Sequence, residues 1–288
     1  AAALPFSEGT FWSATRGEDT ITVIGTVHIY DPRLEPIYDS ISADVAAADI
    51  VMLEATPKEE AELQELIVTD PDLLFITNGP TLPQLLDTET WALVATAAND
   101  RGIPGFMAAK MQPWYLSLIL SIPPCATQDM LSGDLGLDHM ISEGAQAAGV
   151  PMQALEPVTT LFELFQDSPL EDQIDMLMIN LSSPEVQQQM FVAMLDSYFA
   201  QDVGTLWEMS RISMTELPGI DEATATEMFA QIEDSLLIKR NRNWMPVIAE
   251  AVEKHDNLVV AVGAAHLIGQ EGILQFLQDD GWTLTRMQ

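Results

Sequence analysis

The chain of 288 residues has one cysteine, Cys125. No intrachain disulfide can form, so the core alone must hold the fold, and the thiol does not decide between a reducing and an oxidising compartment. Cys125 stands beside Pro123 and Pro124 without a basic neighbour, which argues against an activated nucleophile and for a buried structural thiol. Positive charge is also scarce: 11 Lys and Arg face 44 Asp and Glu, a net charge of −33 spread along the sequence. Nucleic acid is excluded as a partner, because its phosphates are bound by Lys and Arg. An anionic membrane surface is disfavoured for the same reason. No apolar stretch reaches the roughly 20 residues needed to cross a bilayer. The longest, residues 114–122, is bracketed by Pro113 and Pro123. There is no His-Glu-x-x-His helix, Walker loop, Gly-x-Gly-x-x-Gly turn or Gly-x-Ser-x-Gly elbow, so the common zincin, nucleotide and serine-hydrolase readings fall away.

What is present suits a large core, with 48% apolar residues. Runs rich in β-branched residues at 20–27, 49–53, 103–108, 150–155 and 257–263, with a short one at 282–286, predict strands. Helical periodicity fills 37–48, 90–101, 139–148 and 271–278, with Gly102 and Gly149 placed where helices end. Alternating strands and helices predict an α/β (α+β) fold, a helix-covered and largely parallel sheet. Residues 159–255 are helical throughout, which predicts one domain, 1–288, with this segment inserted as a cap that brings Arg240 near His266. Met176, Met178, Met190 and Met194 read as adaptable packing within it. The opening Ala1-Ala2-Ala3-Leu4-Pro5 resembles the remnant of signal-peptide cleavage, so a periplasmic or secreted location is expected.

Histidine occurs four times, at His28, His139, His255 and His266. Two of them share a spacing: Gly25-Thr26-Val27-His28 and Gly263-Ala264-Ala265-His266 both follow an apolar strand. Glu54 and Glu156 likewise end the runs Val51-Met52-Leu53 and Met152-Gln153-Ala154-Leu155. In open parallel sheets ligands bind beyond the carboxyl ends of strands, so these four residues converge on one rim. Neutral imidazole is the commonest metal ligand and a base poised near neutral pH, although a histidine at such a position can also serve only as a strand cap. A carboxylate emerging from a buried strand, as at Glu54, needs a cation, a metal or donors nearby. Glu156 can instead mark a loop exit before Pro157, and Asp138 can instead cap the helix that follows it. Lys239-Arg240-Asn241-Arg242 is the sole basic cluster. It either pairs with surface acids or turns Arg240 and Asn241 towards the rim, to neutralise it or bind an oxyanion. His255 reads as loop, and His139 as packed or solvent-facing.

The set Gly25-Thr26-Val27-His28, Leu53-Glu54, Pro113-Trp114, Gly136-Leu137-Asp138, Ala154-Leu155-Glu156, Arg240-Asn241 and Val262-Gly263-Ala264-Ala265-His266-Leu267-Ile268-Gly269 resembles the TraB/GumN family over essentially the whole chain. That family includes the animal Tiki proteins and is related to the erythromycin-esterase-like and ChaN-like proteins. Tiki proteins are extracellular metalloproteases that depend on manganese or cobalt-type ions and carry paired Gly-x-x-His motifs and an active-site glutamate. The resemblance implies site roles for His28, Glu54 and His266, and further for Asp138, Glu156, Arg240 and Asn241. The second motif departs from the commoner Gly-Ala-Gly-His by having Ala265.

The expectation that follows is a hydrolase of peptide or protein substrates dependent on a divalent metal ion (Mn, Co or Zn). His28, His266 and Glu156 are candidate ligands, Glu54 a ligand or general base, and Arg240 and Asn241 catalytic partners. The alternative is a non-catalytic protein that binds metal, haem or a small ligand on the same rim. The sequence leaves the oligomeric state open.

Overall fold

The computed structural model describes residues 4–131, 136–166, 168–181, 184–215 and 221–287, so the Ala1–Ala3 opening lies outside the described residues. The chain forms two compact units. The first combines residues 1–57, 134–157 and 193–288; the second combines 58–133 and 158–192. The stretch expected as one helical insertion is therefore shared between them.

The first unit is built on six strands: β1 (Phe11–Arg16), β2 (Asp19–Thr26), β3 (Ile50–Leu53), β4 (Met152–Ala154), β5 (Asn257–Gly263) and β6 (Thr283–Arg286), in the spatial order β4-β3-β5-β2-β1-β6. Neighbours from β4 to β2 pair in parallel, while β1 runs antiparallel to both β2 and β6. The fold is thus the expected α/β class, with a mostly parallel sheet. Leu258 to Val262 are buried without alternation, the pattern of a central strand covered on both faces. Leu34, Ile41 and Val45 from helix Leu34–Ala47 and Leu137, Ile141 and Ala145 from helix Leu137–Ala148 join the core around it. Each full burial of such a side chain stabilises by about 1.5–3 kcal/mol. Gly149, at φ 73°, closes helix Leu137–Ala148 in the left-handed conformation that glycine adopts freely.

The second unit is a helical body with its own core of Leu82, Val94, Ala98, Met111, Leu116, Leu120 and Leu177. Three expectations are corrected here. Residues 103–108 form no strand: the apolar run is cut by Pro104 and Gly105 and ends in the short helix Gly105–Ala108. Cys125, in helix Pro124–Leu131, is exposed and not in the core. Met178 is also exposed, so it is not part of the packing. Among the described residues no helix is long and apolar enough to cross a membrane.

Candidate active site

Register alone brings four strand ends together. Thr26 pairs with Gly263, and Leu53 with both Ala261 and Ala154, so β2, β5, β3 and β4 stop at one edge. His28, His266, Glu54 and Glu156 are the residues that follow. Gly25 makes the first closure possible. A side chain there would come within 2.8 Å of Leu267 Cδ1 and 3.1 Å of the Ala264 backbone, so only glycine lets the turn Ala264–His266 dock against β2. Gly136 makes the second: a Cβ would strike Val27 O and the His28 backbone, and without one Leu137 N–H reaches Val27 O at 3.0 Å. The helix starting there carries Asp138 to His28.

His266 is 4% exposed and completely partnered. Its Nδ1 is 2.6 Å from Asn241 Oδ1, its Nε2 is 3.2 Å from Arg240 Nη1, and its ring lies 4.4 Å from that of Trp244. A guanidinium can only donate, so Nε2 is the acceptor and the proton resides on Nδ1. Burial, followed by the charges of Arg240 and His28, holds this imidazole's pKa down at about 4 against the opposing pull of Glu54. Asn241 also donates to the carbonyls of His266 and Glu271, which locks its amide in the orientation the ring requires.

Arg240 is the hub. Nη2 donates to Glu54 Oε2 at 2.5 Å and to Glu156 Oε1 at 2.6 Å, Nε donates to Glu156 at 3.0 Å, and Nη1 also reaches Leu236 O at 3.2 Å. That last carbonyl belongs to a single wide turn, Asp234–Ile238, which runs into helix Lys239–Val252. Such a turn frees carbonyls from the regular ladder and is often found at functional sites. Glu156 spends both oxygens within the protein, on Arg240 and on Trp244 Nε1 at 2.9 Å. Glu54 accepts Gly263 N–H at 2.8 Å on its other oxygen. Burial works against its charge, but His266, His28 and Arg240 prevail and hold its pKa at about 2.

His28 is different. Its side chain is 58% exposed and its Nδ1 lies 3.2 Å from Asp138 Oδ1, a charge contact without the alignment of a good hydrogen bond, since that oxygen has no aligned donor among the described residues. The surrounding protein disfavours its charge, yet the pairing with Asp138 and the charge of Glu54 outweigh this and raise its pKa above the ordinary 6.5. Its other nitrogen faces inward. The point where a Gly263 Cβ would stand is 3.4 Å from Glu54 Oε1, 3.5 Å from His266 Cδ2 and 3.7 Å from His28 Nε2.

Two imidazoles and a carboxylate therefore border one small space, with His266 Nδ1 hydrogen-bonded to Asn241 Oδ1 and His28 Nδ1 facing the charge of Asp138. This is the second-sphere pattern of metal-binding histidines. The donors fit a divalent ion in kind. In the state described, the cation facing Glu54 and His266 Nε2 is Arg240, and among the described residues no group of three or more His, Cys, Asp or Glu side chains is arranged to hold a metal.

The structure brings together all seven residues singled out from the sequence. Asp138 does not cap its helix, since Gly136 is the N-cap; it lies in the first turn and faces His28. His139 pairs with Glu143 on the same helix at 3.4 Å, and His255 sits in the loop before β5, consistent with their exclusion. Two contributors were missed. Trp244 could have been found from its position four residues after Arg240, on the same helix face. Tyr198, whose hydroxyl donates to Gly25 O at 2.9 Å, carries no sequence signal.

Neither the curated proteins nor the solved structures contain a match to this chain. A family model described as the TraB/PrgY/gumN family matches residues 10–286, nearly the whole chain. The chain belongs to that family.

Proposed function

Taking that membership as the premise, we propose that the rim is the active site of a divalent-metal-dependent hydrolase that cleaves a peptide bond. The observation that carries this reading is the convergence of the two histidines on Glu54: Asn241 and Asp138 stand at their Nδ1 atoms, His28 Nε2 borders the space beside Glu54, and His266 Nε2 lies 3.9 Å from Glu54 Oε1. His28, His266 and Glu54 would hold the ion. When bound, it would supply Lewis acidity towards a carbonyl and towards water. The peptide bond is the substrate implied by the resemblance to Tiki proteins.

The remaining steps fall to the protein. Arg240 is cationic at every accessible pH and already lies against both Glu54 and His266. Its Nη1, directed into the same space as His266 Nε2, would donate to an oxyanion forming on the substrate. Glu156 and the Trp244 ring hold the guanidinium in plane while this happens. Glu54 is deeply ionised and tethered through both oxygens, which suits an anchor for positive charge better than a proton acceptor.

The test is elemental analysis of protein purified without chelators, joined to a peptide-library cleavage screen with added manganese, cobalt or zinc. Stoichiometric metal with cleavage supports the proposal. Metal without cleavage selects the alternative, a binding protein, and the absence of both metal and cleavage defeats the metal-dependent reading. Glu54→Gln separates the roles of that residue: loss of metal marks a ligand, whereas retained metal with lost turnover marks a base.

A further inference from the structure

The second unit has a cavity of about 350 Å³ lined by Asp70, Asp72, Leu73, Gln112, Trp114, Gln166 and Gln173. Its floor holds two polar atoms without hydrogen-bond partners among the described residues, Trp114 Nε1 and Gln173 Oε1, on side chains only 3% and 7% exposed. Leaving such a group buried and unpaired costs about 1–3 kcal/mol, so each calls for a partner. The floor is rigid. Trp114 stacks on Phe165 with ring centroids 5.7 Å apart and meets Phe162 edge-on at 5.7 Å, and Gln173 is pinned by its amide donating to Ser168 O at 2.9 Å. Pro113-Trp114, one of the motifs behind the family resemblance, thus lies in this unit, and the rim chemistry makes no use of it.

The rest of the lining is biased towards acceptors. Gln112 spends its NH2 on Asp72 O at 3.0 Å and Gln166 spends its own on Leu73 O at 3.3 Å, which leaves each carboxamide its oxygen. Asp70 and Asp72 add exposed carboxylates, the latter also accepting from the Thr77 hydroxyl. Beside these oxygens the Trp114 indole N–H is the buried donor without a partner among the described residues. A wall rich in acceptors and negative charge complements a cation rich in donors.

We propose that this cavity binds a guanidinium- or ammonium-bearing ligand, with Gln173 Oε1 and the two aspartates accepting its N–H groups and the Trp114 indole donating to an adjacent carbonyl. Such a group can come from an arginyl side chain of a peptide or from a free diamine. The proposal involves neither metal nor turnover, so it stands or falls separately from the rim.

The experiment follows the Trp114 indole N–H resonance, identified by its loss in Trp114→Phe, in the full-length protein. Acetyl-Gly-Arg-Gly-amide, its citrulline analogue and 1,5-diaminopentane are titrated in turn. Saturable movement with the arginyl peptide assigns a peptide source, and movement with the diamine alone assigns a free amine. Asp70→Asn combined with Asp72→Asn, both at exposed positions where folding is undisturbed, should weaken the effective probe by about tenfold and flatten its salt dependence. No movement with either cation, equal movement with the uncharged citrulline peptide, or unchanged affinity in the double variant would overturn the proposal.

Discussion

Strands β2 and β5 lie side by side and end in the same Gly-x-x-His spacing, yet they deliver their imidazoles into opposite surroundings. His266 is enclosed between Asn241, Arg240 and Trp244 and is kept neutral. His28 has an open ring edge and a carboxylate behind it, and is pushed towards the charged form. The repeated motif fixes where each ring is placed, through glycines that allow close approach. Residues far away in sequence then decide which nitrogen carries a proton and how firmly.

The buried end should bear the larger penalties. Arg240→Met leaves Glu54 and Glu156 as uncompensated carboxylates in a largely enclosed site. Unfolding in urea should show a loss of about 3–5 kcal/mol. A loss below about 1 kcal/mol would mean that water already reaches these carboxylates, and the contrast between the two ends would weaken.

Next comes a direct comparison of the histidines. His266→Ala removes a packed ring and strands Asn241, and should cost about 2–4 kcal/mol. His28→Ala, at an open position, should stay within about 0.5 kcal/mol. Equal costs for the two would erase the distinction drawn here.

Smaller effects should appear against pH. His266 has a folded pKa below its unfolded value, so the unfolded chain binds more protons between pH 4 and 6.5 and stability rises through that window. His28 has a raised folded pKa. Its contribution is present below pH 6.5 and declines as pH rises through its folded value, and its exposure to solvent makes this limb the shallower one. His266→Ala should flatten the acid limb alone, and Asp138→Asn the alkaline limb alone. Ring-proton NMR of Asp138→Asn should show the His28 pKa moving down towards 6.5. An unchanged titration would show that Asp138 does not set it.

Much of the rim was readable in the sequence because it depends on chain-order signals: apolar runs stop at Leu53, Leu155 and Gly263, followed at once by Glu54 and Glu156 and, after two alanines, by His266. Arg240 stood out because cations are so rare. Strand β1 was not readable, since its only buried positions are Phe11 and Ala14 and its polar residues mimic a loop. The division into two units was hidden for another reason. Amphipathic helices at 58–133 and 158–192 show an apolar face but not which core it joins, and only the fold reveals that Leu116, Leu120 and Leu177 belong to a core of their own. The false strand at 103–108 has the same origin, an apolar run that serves a helical core.

The most direct test of a single site shared by two distant motifs is metal uptake and peptide cleavage in His28→Ala, His266→Ala and the double variant, each checked for folding by circular dichroism. If both histidines hold one ion, each single change should abolish stoichiometric metal and reduce cleavage by at least about 100-fold, and the double change should add little, because residues acting as a unit are not additive. If either single variant kept its metal and its cleavage while folded, that histidine would be a strand cap, and the shared site would be contradicted.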